Sequence, residues 1–166
     1  MKRLFMLMLA IACHQIAIAQ TTVEEVRLNE LDQYWSKLSE TVEEGDFDSY
    51  AALYHPDAVL ISLYGKQPGC VPISSALENW KQGFLDTKSG KNAAKVDFRF
   101  ANRAGTEQTA YEAGIFNYSS TDTEGKVYSV YVHFEQVLVK KDGNWLTTVE
   151  NQQKLATEDE WEALDN

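Results

Sequence analysis

The residues best suited to chemistry lie between Tyr128 and Leu138, where the two faces of an alternating segment differ in kind. Tyr128, Val130, Val132, Phe134 and Leu138 form an apolar row, while Ser129, Tyr131, His133 and Glu135 fall together on the opposite face. A polar row in the middle of a strand, on a sheet otherwise rich in apolar residues, predicts a pocket lining. His133 and Glu135 stand at i and i+2, near enough for the carboxylate to favour the charged imidazole and to orient it as an acid or base. They are the candidate catalytic pair. The plain alternative is that this face is wet, or holds a contact between two copies, because neighbouring charges are common on surfaces.

Flat apolar walls for a pocket are available in Trp35 and Trp80, although aromatic residues at helical spacing also serve as ordinary core. With Tyr131 and Asn151 they make the candidate ligand-binding set. Asn151 adjoins Glu150 on the last predicted strand, and only one of the two can point inward. His55 and Asp57 read as turn formers at the start of a strand. After the leader only His55 and His133 remain as histidines, far apart and without HExxH or paired-cysteine spacing, so no metal is expected. No Gly-x-Ser-x-Gly elbow is present, and Gly65 to Gly69 lacks the lysine of a phosphate-binding loop. No cofactor is expected.

These side chains have to be positioned by helices that come first and strands that follow. Leu28, Leu31, Trp35, Leu38 and Val42, after Val26, recur every three or four residues, which predicts a long helix ending near Gly45. Asp46 can cap a short second helix carrying Phe47, Tyr50, Ala51 and Tyr54, which Pro56 ends. Ala58 to Leu63 reads as a strand and Gly65 to Pro72 as a loop. Ser74 or Ser75 can cap a third helix running through Phe84, with Leu77 and Trp80 on its apolar face. The period then changes to two at Val96, Phe98 and Phe100. Runs over Thr109 to Ser119 and Lys126 to Lys140 form a hairpin, and a second hairpin turns at Asp142-Gly143 into Trp145 to Gln152. The segment after Thr157 is a short helix carrying Trp161 or a frayed tail. Three helices followed by a meander predict an α+β domain, with helices packed on one face of an antiparallel sheet.

The run Gly45-Asp46-Phe47 through His55-Pro56-Asp57-Ala58-Val59-Leu60, then a glycine loop and a helix bearing Trp80, resembles the nuclear transport factor 2-like superfamily, nearest its SnoaL-like and ketosteroid-isomerase-like branches. The Lys141-Asp142-Gly143-Asn144-Trp145 turn is similar to the one joining the last two strands of those families. The resemblance implies a cone, with a curved sheet wrapped around the long helix and a cavity open at one end. It also implies frequent pairing of two copies through the outer face of the sheet. Aligned without gaps from Gly45-Asp46 to Gly65, the isomerases' base aspartate falls on Ser62 and their oxyanion-holding tyrosine on Leu38. A serine hydroxyl alone is no base and a leucine cannot hold an enolate oxygen, so steroid isomerisation is disfavoured.

The chain opens with Lys2 and Arg3, an apolar stretch from Leu4 to Ala12, and Ala17-Ile18-Ala19 before Gln20. That layout predicts a signal peptide over residues 1–19, and a single domain over 20–166 that is periplasmic or secreted. An alternative is lipidation at Cys13, which would anchor the protein to a membrane. Without the leader the formal charge moves from −10 to −12, which disfavours nucleic acid and anionic membranes. Cys70 is then alone, so no intrachain disulfide is expected. The sequence thus predicts an exported domain that binds a small apolar or aromatic molecule. Its alternatives are a cofactor-free lyase or isomerase using His133 and Glu135, and a non-catalytic homodimeric interaction module.

Overall fold

The computed structural model describes the backbone of residues 2–65 and 68–164, with side chains described from Val23 onward in those ranges. The leader over 1–19, its cleavage point and Cys13 lie outside the residues whose side chains are described. Among the described residues, no helix is long and apolar enough to cross a membrane.

Helix α1 (Lys2–Glu44) buries Arg27, Leu31, Tyr34, Trp35, Leu38, Thr41 and Val42 along one stripe. The stripe begins at Arg27 rather than at the predicted Val26, which is 59% exposed because it lies close to half a turn off the line through Leu31 and Trp35. Gly45 ends the helix in the left-handed region at φ 65°. The Asp46 N–H donates back to the Thr41 carbonyl at 2.9 Å, satisfying one of the last free acceptors. Asp46 also caps α2 (Phe47–Ala51), its carboxylate accepting the Ser49 N–H at 3.3 Å. One Gly-Asp pair therefore closes one helix and opens the next.

Strand β1 (Tyr54–Ser62) starts earlier than predicted and contains Pro56, which sits where pairing with the last strand is interrupted between Tyr54 and Val59. A residue without an N–H is tolerated there. The predicted loop holds the short edge strand β2 (Gly69–Pro72). Helix α3 (Ile73–Lys88) begins directly after Pro72, with no side-chain cap from Ser74 or Ser75. There follow β3 (Asn92–Gly105), β4 (Thr109–Asp122), β5 (Val127–Lys141) and β6 (Asn144–Leu155). Asp142 and Gly143 both take positive φ, as the β5–β6 hairpin requires.

The six strands form one sheet in the order β2-β1-β6-β5-β4-β3. The sheet is mixed rather than wholly antiparallel, because the first strand pairs with the last and runs parallel to it. The intervening chain is long enough for that crossover. Irregularities between Phe100 and Asn102, His133 and Phe134, and Val137 and Leu138 bend the long strands. The curved sheet stays unclosed and carries the first three helices on its concave face, giving an α+β cone. At its centre the Trp35 ring meets Phe98, Phe100 and Phe134 at centroid distances of 4.5, 5.3 and 5.6 Å. After β6, α4 (Glu158–Glu162) forms a short helix with a Thr157–Glu160 capping box.

Candidate functional site

Strand alternation decides which side chains enter the cone. On β5 the inward row is Tyr128, Val130, Val132, Phe134, Gln136 and Leu138, and on β6 Glu150 and Gln152 stand beside Gln136 and Phe134 in register. Ser129, Tyr131, His133 and Glu135 are on the outer face. The polar row read from the sequence as a pocket lining is thus the back of the sheet. The concave side must meet apolar helices, so the mostly apolar row turns inward.

A cavity of about 460 Å³ opens between α1, α2, α3 and the sheet. Leu38 and Val42 of α1 and Val96 and Val130 of the sheet supply aliphatic surface. Aromatic walls come from Tyr50 on α2, Trp80 and Phe84 on α3, and Phe98, Phe116 and Tyr118 on β3 and β4. Tyr128, 61% exposed, marks the mouth. Asn79 and Thr87 of α3 also border the space, and the polar groups of Tyr50, Tyr54, Gln136, Glu150 and Gln152 lie together on one wall.

That wall is a connected network. Tyr54 Oη donates to Glu150 Oε2 at 2.6 Å, Gln152 Nε2 donates to Glu150 Oε1 at 2.6 Å, and the Tyr50 hydroxyl lies 3.0 Å from that of Tyr54. Since the Tyr54 proton goes to the carboxylate, Tyr50 donates to Tyr54. Thr147, fully buried behind the wall, donates to Gln136 Oε1 at 2.7 Å and lies 2.7 Å from the Tyr34 hydroxyl. This holds the Gln136 oxygen and leaves its amide NH2 for a ligand. Burial pushes the Glu150 carboxyl above the usual carboxylate range, against the opposing effect of its two donors. Burial, and the nearby Glu150 charge, also push Tyr50 and Tyr54 well up, so both remain neutral donors.

The sequence candidates are dispersed. Trp80 lines the cavity, whereas Trp35 is buried in the core, with its indole N–H donating to Glu112 Oε2 at 3.3 Å. His133 and Glu135 are not paired with each other. His133 Nε2 lies 3.2 Å from Glu160 Oε1, while Glu135 accepts Tyr111 Oη at 2.8 Å and Asn151 Nδ2 at 3.0 Å. Asn151 is therefore on the outer face, and its neighbour Glu150 is the one that points inward. Tyr131 packs on Trp161 of α4 at 5.7 Å, and the Arg99 guanidinium lies over the same indole at 4.5 Å. His133 and Glu135 do border a shallow outer recess of about 290 Å³ beside α4. Of the two isomerase positions, Leu38 lines the cone, and the Ser62 hydroxyl is turned to the Tyr64 carbonyl at 3.5 Å. Sequence reasoning missed Tyr50, Tyr54, Gln136 and Gln152 as site residues. The available signal covered Gln136 alone, which shares the parity of the apolar row of β5; on β6 Glu150 and Gln152 have the opposite parity to Trp145 and turn inward because the pairing shifts between Val137 and Leu138.

No protein-family pattern matches the chain, and no curated protein matches it in sequence. Solved structures do match in fold. A protein from Novosphingobium aromaticivorans named as a candidate scytalone dehydratase is 13% identical with a TM-score of 0.62, over 82% of this chain and 89% of its own. An NTF-2 like protein of unknown function from Shewanella oneidensis is 17% identical with a TM-score of 0.58, over 76% and 98%. A ketosteroid isomerase-like protein from Erwinia carotovora is 14% identical with a TM-score of 0.54, over 79% and 98%. With its helices cradled in a curved six-stranded sheet and a cavity between the two layers, this chain has the nuclear transport factor 2-like fold.

Proposed function

We propose that the protein is a small-molecule-binding domain whose ligand, largely apolar or aromatic, sits in the cone with its polar end on the Glu150 wall. The observation that carries this reading is the cavity itself, apolar and aromatic on most sides, with Tyr54, Gln136, Glu150 and Gln152 converging at one place. A core built only for stability would fill this space, because voids of this size are destabilising. The leader-like opening supports an exported setting, tested by whether the purified chain begins at Gln20.

The test is a cavity block. A Cβ built at Gly83, which lines the cavity from α3, meets no atom within 4 Å, so Gly83→Trp would fill the opening without straining the helix. Native mass spectrometry would detect a co-purifying molecule, and an environment-sensitive apolar dye would titrate the site. We expect wild type to bind and Gly83→Trp to bind at least ~10-fold more weakly at unchanged melting temperature. Equal affinity in the two proteins would refute the reading.

A second reading, proton transfer by Glu150 instead of by His133 and Glu135, is favoured by the burial that lifts the carboxyl towards neutrality. It predicts deuterium exchange from solvent into a bound ligand, abolished by Glu150→Gln.

A further inference from the structure

Among the described residues two carboxylates, Glu112 and Glu150, are buried, and they are treated differently. Glu112, fully buried, receives the Arg103 Nε–H at 2.6 Å and so has a cationic partner inside the fold. Glu150 is 5% exposed, and both of its donors, Tyr54 and Gln152, are neutral. Among the described residues no lysine, arginine or histidine lines the cavity, and Glu150 is the one formally charged side chain there. A carboxylate taken out of water without a cation is costly, and an opposite charge brought by a ligand removes much of that cost.

We propose that the cone is a site for a protonated organic amine, its ammonium group seated against Glu150 and its hydrocarbon among the aromatic rings. This rests on the small-molecule reading above and names the ligand class for the same cavity. Both Glu150 oxygens already accept one hydrogen bond each, from the Tyr54 hydroxyl and the Gln152 amide, and each carboxylate oxygen has a further lone pair for an N–H donor. The rings of Tyr50, Trp80, Phe84, Phe116, Tyr118 and Tyr128 line the same space. Their negative faces attract cations, most strongly where water is excluded. The formal charge of −10 raises the local concentration of cations around the whole molecule. Carboxylate and phosphate ligands meet the opposite condition, with Glu150 repelling them and no basic lining residue among those described to receive them.

The test varies charge on fixed skeletons. Phenethylamine, 2-phenylethanol and phenylacetate, and likewise tryptamine, tryptophol and indole-3-acetate, would be titrated by calorimetry into the full chain near neutral pH, and into Glu150→Gln. The amine of each set should bind roughly tenfold or more tighter than the alcohol, with the acid weakest. In Glu150→Gln the amine's preference over the alcohol should fall to within about twofold. Because the wild-type ranking is itself decisive, the result does not depend on the variant folding. If the alcohols bind as well as the amines, or the acids bind best, the amine assignment is overturned and the pocket reading stands. If none of the six binds while the dye still reports an open cavity that Gly83→Trp closes, the amine assignment again falls alone. Loss of both signals overturns the two together.

Discussion

Thr147→Val isolates the network that stiffens the polar wall. Thr147 is fully buried, and its hydroxyl donates to Gln136 Oε1 at 2.7 Å while meeting the Tyr34 hydroxyl at 2.7 Å. Valine has nearly the same volume, so the change removes the hydroxyl and little packing. Tyr34 retains a long contact to the Leu53 carbonyl at 3.4 Å, so its loss is that of one ordinary hydrogen bond, about 0.5–1.5 kcal/mol. Gln136 is 3% exposed and its oxygen loses the donor that holds it, which costs about 1–3 kcal/mol. The sum is about 1.5–4.5 kcal/mol, a shift of the urea midpoint on the order of 1 M. Far-UV circular dichroism through a urea titration reads it directly. Thr147→Ser keeps the hydroxyl and should lose only about 1 kcal/mol for the methyl group. A Thr147→Val protein within about 0.5 kcal/mol of wild type would show that the bridge contributes nothing. Serine as damaging as valine would show that the methyl, not the hydroxyl, matters.

Glu150→Gln should change the pH dependence of stability. Burial raises the folded carboxyl above 4.5, so the unfolded chain ionises first as pH rises, and wild-type stability is lost through the window up to the folded value. The melting-temperature difference between variant and wild type should therefore move in the variant's favour from about pH 4.5 upward, and a pH-independent difference would contradict the burial argument. His133→Ala should leave dye or ligand affinity in the cone unchanged within about twofold, because the imidazole is on the outer face against Glu160; a larger loss would return the pair to the pocket. Gly45→Ala should destabilise by ~2 kcal/mol or more, since Gly45 sits at φ 65° and a Cβ there would come within 2.5 Å of the Lys88 nitrogen and Phe84 oxygen. An unaltered thermal unfolding curve would show that α1 and α3 are not in close contact at that glycine.

Much of the fold was legible along the chain because its signals are local. Periodicity in α1 from Leu31 to Val42, the Gly45-Asp46 junction, the alternation at Val96-Phe98-Phe100 and the Asp142-Gly143 turn each depend on residues a few positions apart. Strand β2 gave no such signal, since a four-residue edge strand between glycines and prolines differs from a loop only through its partner β1. The parallel pairing of β1 with β6 was equally silent, because it joins residues some ninety positions apart.

The site divides along the same line. The sequence by itself determined that Tyr128 to Leu138 carries two unlike faces, that Trp80 lies on a helix packed against the sheet, and that only one of Glu150 and Asn151 can enter the cone. Which face turns inward was decided by the tertiary structure alone. Strand alternation is symmetric until a helical layer covers one side, and here the layer took the apolar row of β5, leaving His133 and Glu135 outside and drawing Gln136 in, while the register shift at Thr148 turned Glu150 and Gln152 inward beside it. Tyr54 of β1 and Glu150 of β6, 2.6 Å apart and ninety-six residues distant in sequence, meet only because the first strand runs beside the last.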